Sequence, residues 1–233
     1  MRKPDVDLEV LRTVIEEMFP PARSTNVERV VAGGSSQVYR IRRDAAVYYL
    51  RFAEQPGESL APEARVHELL RERGVRAPKI VHRAPTSTAF GRSFMVTSEI
   101  AGRPVAECSD RTSVRRILTE AGKDLAIINK LPVDGFGFLR RDRVVGSRLQ
   151  GPFSTHCAWV SQHLDEDLHR IAGRALLESE VWALRHILQR YEAWLQEDQV
   201  WLAHGDFDTT HIFQQDGRYT GIIDFGEVRG TEP

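Results

Sequence analysis

The stretch His204-Gly205-Asp206-Phe207-Asp208-Thr209-Thr210-His211-Ile212-Phe213, running on through Asp216-Gly217 to Gly221-Ile222-Ile223-Asp224-Phe225-Gly226-Glu227, decides the fold. An apolar strand, Val200-Trp201-Leu202-Ala203, leads into it. Asp216-Gly217 between two apolar runs is a strong hairpin signal, because a type I′ turn wants positive φ at both central residues. A two-residue loop there sets Gln215 opposite Arg218, His211 opposite Ile222 and Thr209 opposite Asp224. His211 and Asp224 then become diagonal neighbours on one face, about 7–8 Å apart between backbones. Asp206 lies just before the hairpin, at the same open end. Local β-geometry thus collects two carboxylates and an imidazole in one place.

Upstream, the pattern changes from mixed to helical. Leu8, Leu11, Ile15 and Met18 share one helix face, and Pro20-Pro21 ends that helix. Val27–Val31, Val38–Ile41 and Ala46–Phe52 read as three strands, with Gly33-Gly34-Ser35-Ser36 as the turn between the first two. A helix over Pro62–Arg73 follows, then strands at Pro78–Val81 and Phe94–Thr97. Gly102-Arg103-Pro104 breaks the pattern and is expected to be a hinge. Beyond it, Val114 to Ile128 and Val181 to Leu195 carry apolar stripes at helical spacing, with a shorter one from Val160 to Ile171; each is expected to face a core. The four tryptophans (Trp159, Trp182, Trp194, Trp201) are expected to pack in helices or core. The fold class is α+β, in two parts: 1–101, a helix with a β-sheet, and 102–233, mainly helical with the hairpin.

Composition narrows the function. The 233 residues are long enough for a sizeable core. With 32 basic and 33 acidic residues the net charge is −1, so no global field favours nucleic acid or an anionic membrane. Two cysteines, Cys108 and Cys157, cannot build a disulfide framework or a four-cysteine zinc site. No apolar run is long enough to span a bilayer and the N-terminus lacks an apolar signal core, so a cytoplasmic protein is expected.

The clustered acids have a chemical reading. An Asp-Phe-Gly after an apolar strand suits a hard cation such as Mg²⁺ held against phosphate oxygens. An aspartate with a second ligand five residues later, as in Asp206 and His211, has the spacing of a kinase catalytic loop. His204 is expected to brace that loop through backbone carbonyls.

His204-Gly205-Asp206 together with Ile223-Asp224-Phe225-Gly226, behind a glycine-turn β-rich first part, resembles the aminoglycoside phosphotransferase and choline kinase-like family, over Val27 to the end of the chain. The resemblance implies a two-lobed protein-kinase-like fold, with ATP or GTP and Mg²⁺ in the cleft and a small-molecule hydroxyl as acceptor. It also implies residue roles. Gly33, Gly34, Ser35 and Ser36 would cover the nucleotide phosphates. Arg51 would stand in the place of the family's phosphate-binding lysine, and Glu63 would pair with it. Thr97 to Ala101, with Glu99 and Ile100 at its centre, would meet the base through backbone groups. Asp206 would be the catalytic base, His211 the second metal ligand and Asp224 the main one.

Three departures stand out. Arg replaces Lys at 51, trading a point charge for a planar fork. His replaces Asn at 211, and an imidazole suits Mg²⁺ less well than an amide oxygen. The chain stops at Pro233, nine residues after Asp224, where the family continues through further helices, so a shortened C-terminal part is expected. A catalytically weak or inactive nucleotide-binding pseudokinase is the alternative these changes keep open. Asp206-Phe207-Asp208-Thr209-Thr210 also fits the nucleophile motif of haloacid-dehalogenase-type phosphatases, but that chemistry needs a downstream lysine and none follows Lys130.

Overall fold

A computed structural model describes residues 6–30, 37–85, 87–142, 148–195 and 199–232. Gly33 to Ser36, the expected phosphate-covering turn, lies outside the described residues.

Helix α1 (Leu8–Met18) starts where the Asp7 carboxylate accepts the N–H groups of Glu9 and Val10, two of the donors that a helix start leaves unpaired. Its Leu11 and Ile15 are fully buried, whereas Leu8, expected on the same face, is 46% exposed. The helix covers one face of an antiparallel sheet of β1 (Thr25–Arg29), β2 (Gln37–Arg43), β3 (Ala46–Phe52), β4 (Ile80–Ala84) and β5 (Phe94–Ser98), in the order β1-β2-β3-β5-β4. Alternation assigns the faces. Tyr39, Ile41, Leu50, Phe52, Phe94 and Val96 pack with Leu11 and Ile15 in one core. That leaves Arg40, Tyr49 and Arg51 on the opposite face; Arg40 is directly paired with Tyr49.

Helix α2 (Ala61–Glu72) joins the two parts. Its Val66 and Leu70 belong to a second core with Ile117, Ala121 and Ile128 of α3 (Arg111–Ile128), Leu202 of β8 (Trp201–Ala203), Ile212 of β9 (Ile212–Gln215), Ile222 of β10 (Arg218–Ile222) and Phe225. Two three-stranded sheets complete this region. One has the order β10-β9-β6, with β6 at Arg103–Pro104; the other has the order β7-β11-β8, with β7 at Gly137–Phe138 and β11 at Arg229–Thr231. The buried Asp124 carboxylate accepts both the Arg76 N–H (3.0 Å) and the Tyr219 hydroxyl (2.8 Å), fastening the segment after α2 to the hairpin.

Two sequence expectations need correction. Gly102-Arg103-Pro104 is no loose hinge, because β6 pairs with β9. Gly102, at φ +96°, sits so close that a Cβ there would lie 2.1 Å from the Gln214 carbonyl oxygen. The second correction concerns the late apolar stripes. Helices α4 (His156–Val160), α5 (Leu164–Ile171) and α6 (Glu178–Arg190) form, but of the stripe from Val181 to Leu195 only Val181 is buried among the described side chains, and Leu195 lies outside them. Leu188 and Tyr191 are 38% and 44% exposed, and Trp182, at 65%, stacks on His186 instead of entering a core. Periodicity reports that a helix has an apolar face; it does not report whether another element covers that face. The acids Asp165, Glu166 and Asp167 at the start of α5 pair with Arg185, His163 and Arg170 at the surface.

Candidate active site

The hairpin turn adopts the expected geometry, with φ of 52° at Asp216 and 71° at Gly217. The strand register departs from expectation. Gln215 faces Arg218, but Phe213 faces Gly221, so one extra residue, Thr220, is inserted as a β-bulge. Its cause lies across the molecule. The Thr220 hydroxyl donates to the Ala101 carbonyl (2.7 Å), and Gly221 lies flat against the Arg76 carbonyl, where a Cβ would come within 2.4 Å. The bulge carries the pairing on by one residue, so the Ile223 N–H donates to the His211 carbonyl (2.9 Å), and Ile223, rather than Ile222, stands opposite His211.

Sheet diagonals therefore do not aim Asp224 at His211; a turn does. Asp224 is left-handed (φ 62°, ψ 67°), a conformation aspartate tolerates better than most residues. Its Oδ1 accepts the Gly226 N–H at 3.3 Å. The turn swings the carboxylate back, leaving Asp224 Oδ2 3.7 Å from His211 Nε2. On the other side of the ring, His211 Nδ1 is 2.8 Å from the Asp206 carbonyl oxygen. A carbonyl only accepts, so Nδ1 carries a hydrogen, and Nε2 is the ring nitrogen that faces Asp224. Asp206 Oδ2 stands 3.6 Å from the same ring. The structure thus brings Asp206, His211 and Asp224 together, with both aspartate side chains about half exposed. Asp208 joins this group, its carboxylate within 4.8 Å of the ligand atoms of Asp206 and His211. Its Oδ1 is already taken by the Thr210 N–H and hydroxyl, which hold its carboxyl below the usual range.

The donor atoms fit a divalent cation. Nε2 of His211 and Oδ2 of Asp224 lie closer than two metal–oxygen bonds of about 2.1 Å laid end to end. The carboxylates supply the hard oxygens that Mg²⁺ prefers, and the imidazole is the softer member of the set.

Beside Asp224 sits a buried ion pair. Arg51 Nη1 donates to Glu63 Oε1 at 2.6 Å and stands 3.8 Å from Asp224 Oδ1. Gly226 makes this approach possible, since a Cβ there would come within 2.6 Å of the guanidinium. Glu63 is only 3% exposed; burial pushes its carboxyl up, and Arg51, then Arg141, oppose that rise. Arg141 carried no sequence signal. It lies in a loop with no motif, yet donates to the Gly226 carbonyl at 2.6 Å and faces Glu63 Oε2 at 3.6 Å.

Glu99 and Ile100 follow directly on the end of β5. Glu99 Oε1 accepts from Arg40 (2.9 Å) and the Tyr49 hydroxyl (3.3 Å), while the Glu99 N–H is taken by the Val47 carbonyl. Ile100 lies beside Gly221 of the hairpin. A cavity of about 1070 Å³, lined among others by Phe136, Thr155, Cys157, Glu192 and Trp201, contains none of the residues above.

Three rings hold the 204–211 loop, the Asp224 turn and α2 in one column. Phe225 contacts His204 and His67, each at a centroid separation of 4.8 Å. His204 is 1% exposed; its Nε2–H donates to the Ile223 carbonyl (3.0 Å) and its Nδ1 accepts the Asp206 N–H (3.3 Å). His67 donates Nδ1–H to the Pro78 carbonyl at 3.0 Å, and burial lowers its pKa from 6.5 to about 4. Its folded pKa lies below its unfolded one, so its contribution is complete above pH 6.5 and is lost as pH falls toward 4. The loss amounts to about 3 kcal/mol at roughly 1.4 kcal/mol per unit. Urea unfolding across that range should show the slope in the wild type and a shallower one in His67→Phe; equal slopes would exclude His67 as the source.

Comparison with known proteins bears on the family and the fold. Residues 26–230 match the model of the phosphotransferase enzyme family APH. No curated protein matches the chain in sequence. Among solved structures, aminoglycoside phosphotransferase APH(4)-Ia is similar at a TM-score of 0.68 and 14% identity, over 97% of this chain and 74% of that one. The GDP and kanamycin complex of APH(2″)-IIIa gives a TM-score of 0.57 at 21% identity, over 94% and 72%. A putative fructosamine-3-kinase from Haemophilus somnus 129PT gives 0.61 at 13%, over 97% and 74%. With a β-rich first part, a helix carrying the partner of Arg51, and an Asp-Phe-Gly turn facing a catalytic-type loop, the chain belongs to the APH phosphotransferase family and has its kinase-like fold.

Proposed function

We propose that this phosphotransferase moves the γ-phosphoryl group of ATP or GTP to a hydroxyl of a small molecule, in a cleft between residues 1–101 and 102–233. The convergence of Asp206, His211 and Asp224 beside the Arg51–Glu63 pair carries this reading. Asp206 orients the acceptor hydroxyl and takes its proton. Asp224 and His211 hold Mg²⁺, which when bound neutralises charge on the phosphate oxygens. Arg51 holds the phosphates together with the segment Gly33, Gly34, Ser35 and Ser36, and the backbone around Glu99 and Ile100 receives the base. Both nucleotide classes have support: a structure of APH(4)-Ia is a ternary complex with ADP and hygromycin B, and that of APH(2″)-IIIa holds GDP and kanamycin.

The test offers Mg²⁺ with γ-labelled ATP or GTP to a panel of aminoglycosides, sugars and amino alcohols. Label should move to at least one acceptor. Tight nucleotide binding without transfer to any of them, unchanged by Asp206→Ala, would support a binding-only pseudokinase instead. Asp224→Asn should weaken Mg²⁺·nucleotide binding at least as much as the roughly 10–100-fold that loss of an outer-shell partner costs a metal site. Calorimetric titration reads this directly, and unchanged affinity would remove Asp224 from the cation site.

A further inference from the structure

We propose that His211 is a direct ligand of the cation and that its imidazole turns the site toward Mn²⁺ in preference to Mg²⁺. The inference rests on the phosphotransferase reading, whose cation it specifies.

The ring is fixed so as to offer one nitrogen. The His211 N–H donates to the Asp208 carbonyl (3.2 Å), and the His211 carbonyl accepts the Ile223 N–H (2.9 Å), so its backbone is tied both to its own loop and to the residue before Asp224. Its Nδ1 donates to the Asp206 carbonyl at 2.8 Å. A backbone carbonyl on the far nitrogen is how proteins commonly fix the orientation of a metal-binding imidazole and raise its basicity. Nε2 is then left facing Asp224 Oδ2 at 3.7 Å. That separation is too long for a hydrogen bond and short enough for both atoms to reach one ion.

The donor set decides which ion. Mg²⁺ demands a near-ideal octahedral shell of oxygens and gives up water reluctantly. Imidazole suits softer first-row ions, while carboxylates suit Mn²⁺ as well as Mg²⁺. One nitrogen among the oxygens of Asp224, Asp206 and a nucleotide's phosphates therefore costs Mn²⁺ less than Mg²⁺. His204, whose ring centroid is 6.5 Å from that of His211, does not share this role. It is 1% exposed, and its two nitrogens are taken by the Ile223 carbonyl and the Asp206 N–H. A histidine nitrogen on the ion is that of His211.

Pulsed electron paramagnetic resonance on the full chain with Mn²⁺, alone and with AMP-PNP, tests the ligation. Labelling the protein's histidines with ¹⁵N separates their signal from the nucleotide's nitrogens. The nitrogen modulation should change with the label in the wild type and vanish in His211→Asn, which puts a hard amide oxygen in place of the ring. Calorimetry tests the preference. Wild type should bind Mn²⁺·AMP-PNP more tightly than Mg²⁺·AMP-PNP. His211→Asn should lose about 10–100-fold in Mn²⁺·AMP-PNP affinity, the scale on which metal sites respond to a lost supporting group, while Mg²⁺·AMP-PNP affinity holds or rises. Bound Mn²⁺ without histidine modulation in the wild type would overturn the proposal, and that measurement needs no variant. Equal losses for the two ions in His211→Asn would overturn it too, with the phosphotransferase reading intact. A wild type that binds AMP-PNP and GMP-PNP with neither ion would instead bring down that reading, and the role of His211 with it.

Discussion

Asp206→Asn is expected to lower the rate of phosphoryl transfer by about 10²–10⁴-fold, the usual worth of a positioned general base, while leaving Mg²⁺·nucleotide affinity near that of the wild type. The substitution keeps the shape of the side chain and removes its proton-accepting charge. Asp206 is half exposed, so the neutral amide strands no buried partner, and the protein should fold normally. His211 bonds the Asp206 carbonyl, a backbone group the change leaves alone, so the imidazole should keep its orientation toward Asp224. Asp224→Asn should show the reverse split, with binding lost first. Single-turnover kinetics with the best acceptor from the panel separates the two steps. A transfer rate in Asp206→Asn within tenfold of the wild type would assign the base elsewhere.

Gly205→Ala should have the largest effect on stability. Gly205 is at φ +87°, and a Cβ on it would lie 2.0 Å from the Glu227 carbonyl oxygen and 2.7 Å from its carbon. A side-chain obstacle could rotate aside; this one is backbone, in the turn just after Asp224-Phe225-Gly226. The left-handed conformation costs a non-glycine residue about 1–2 kcal/mol, and forced overpacking about 1–3 kcal/mol more. A loss of about 2–5 kcal/mol is a large share of the stability of an ordinary domain. Chemical denaturation should show it as a lower midpoint with an unchanged slope. Whatever fraction stays folded should transfer poorly, since Asp206 is the next residue. A midpoint equal to the wild type's would mean that the loop and the Glu227 turn separate easily.

Much of this was legible in the chain because the signals were local. Ala46–Phe52, the strand that carries Arg51, and the turn at Asp216-Gly217 could both be read from their own residues. What escaped was decided by distant groups. The bulge at Thr220 answers to the Arg76 and Ala101 carbonyls, which no pattern within the hairpin records. His211 and Asp224 still meet, but through a left-handed residue rather than through the strand register. Arg141 is 78 positions from Glu63 and 85 from Gly226, in a loop without periodicity. The stripe on α6 was readable as apolar, but its exposure was not, because exposure depends on what the neighbouring elements cover.

The ring column of His67, Phe225 and His204 ties the alignment of Asp206 and Asp224 to the seating of α2. A wedge-shaped molecule that levered α2 outward would take His67 off Phe225 and withdraw Glu63 from Arg51 in one movement. The carboxylates would lose their alignment although nothing had touched them. An inhibitor of that kind would sit away from the nucleotide, yet each would weaken the other's binding, because coupling between two sites is reciprocal.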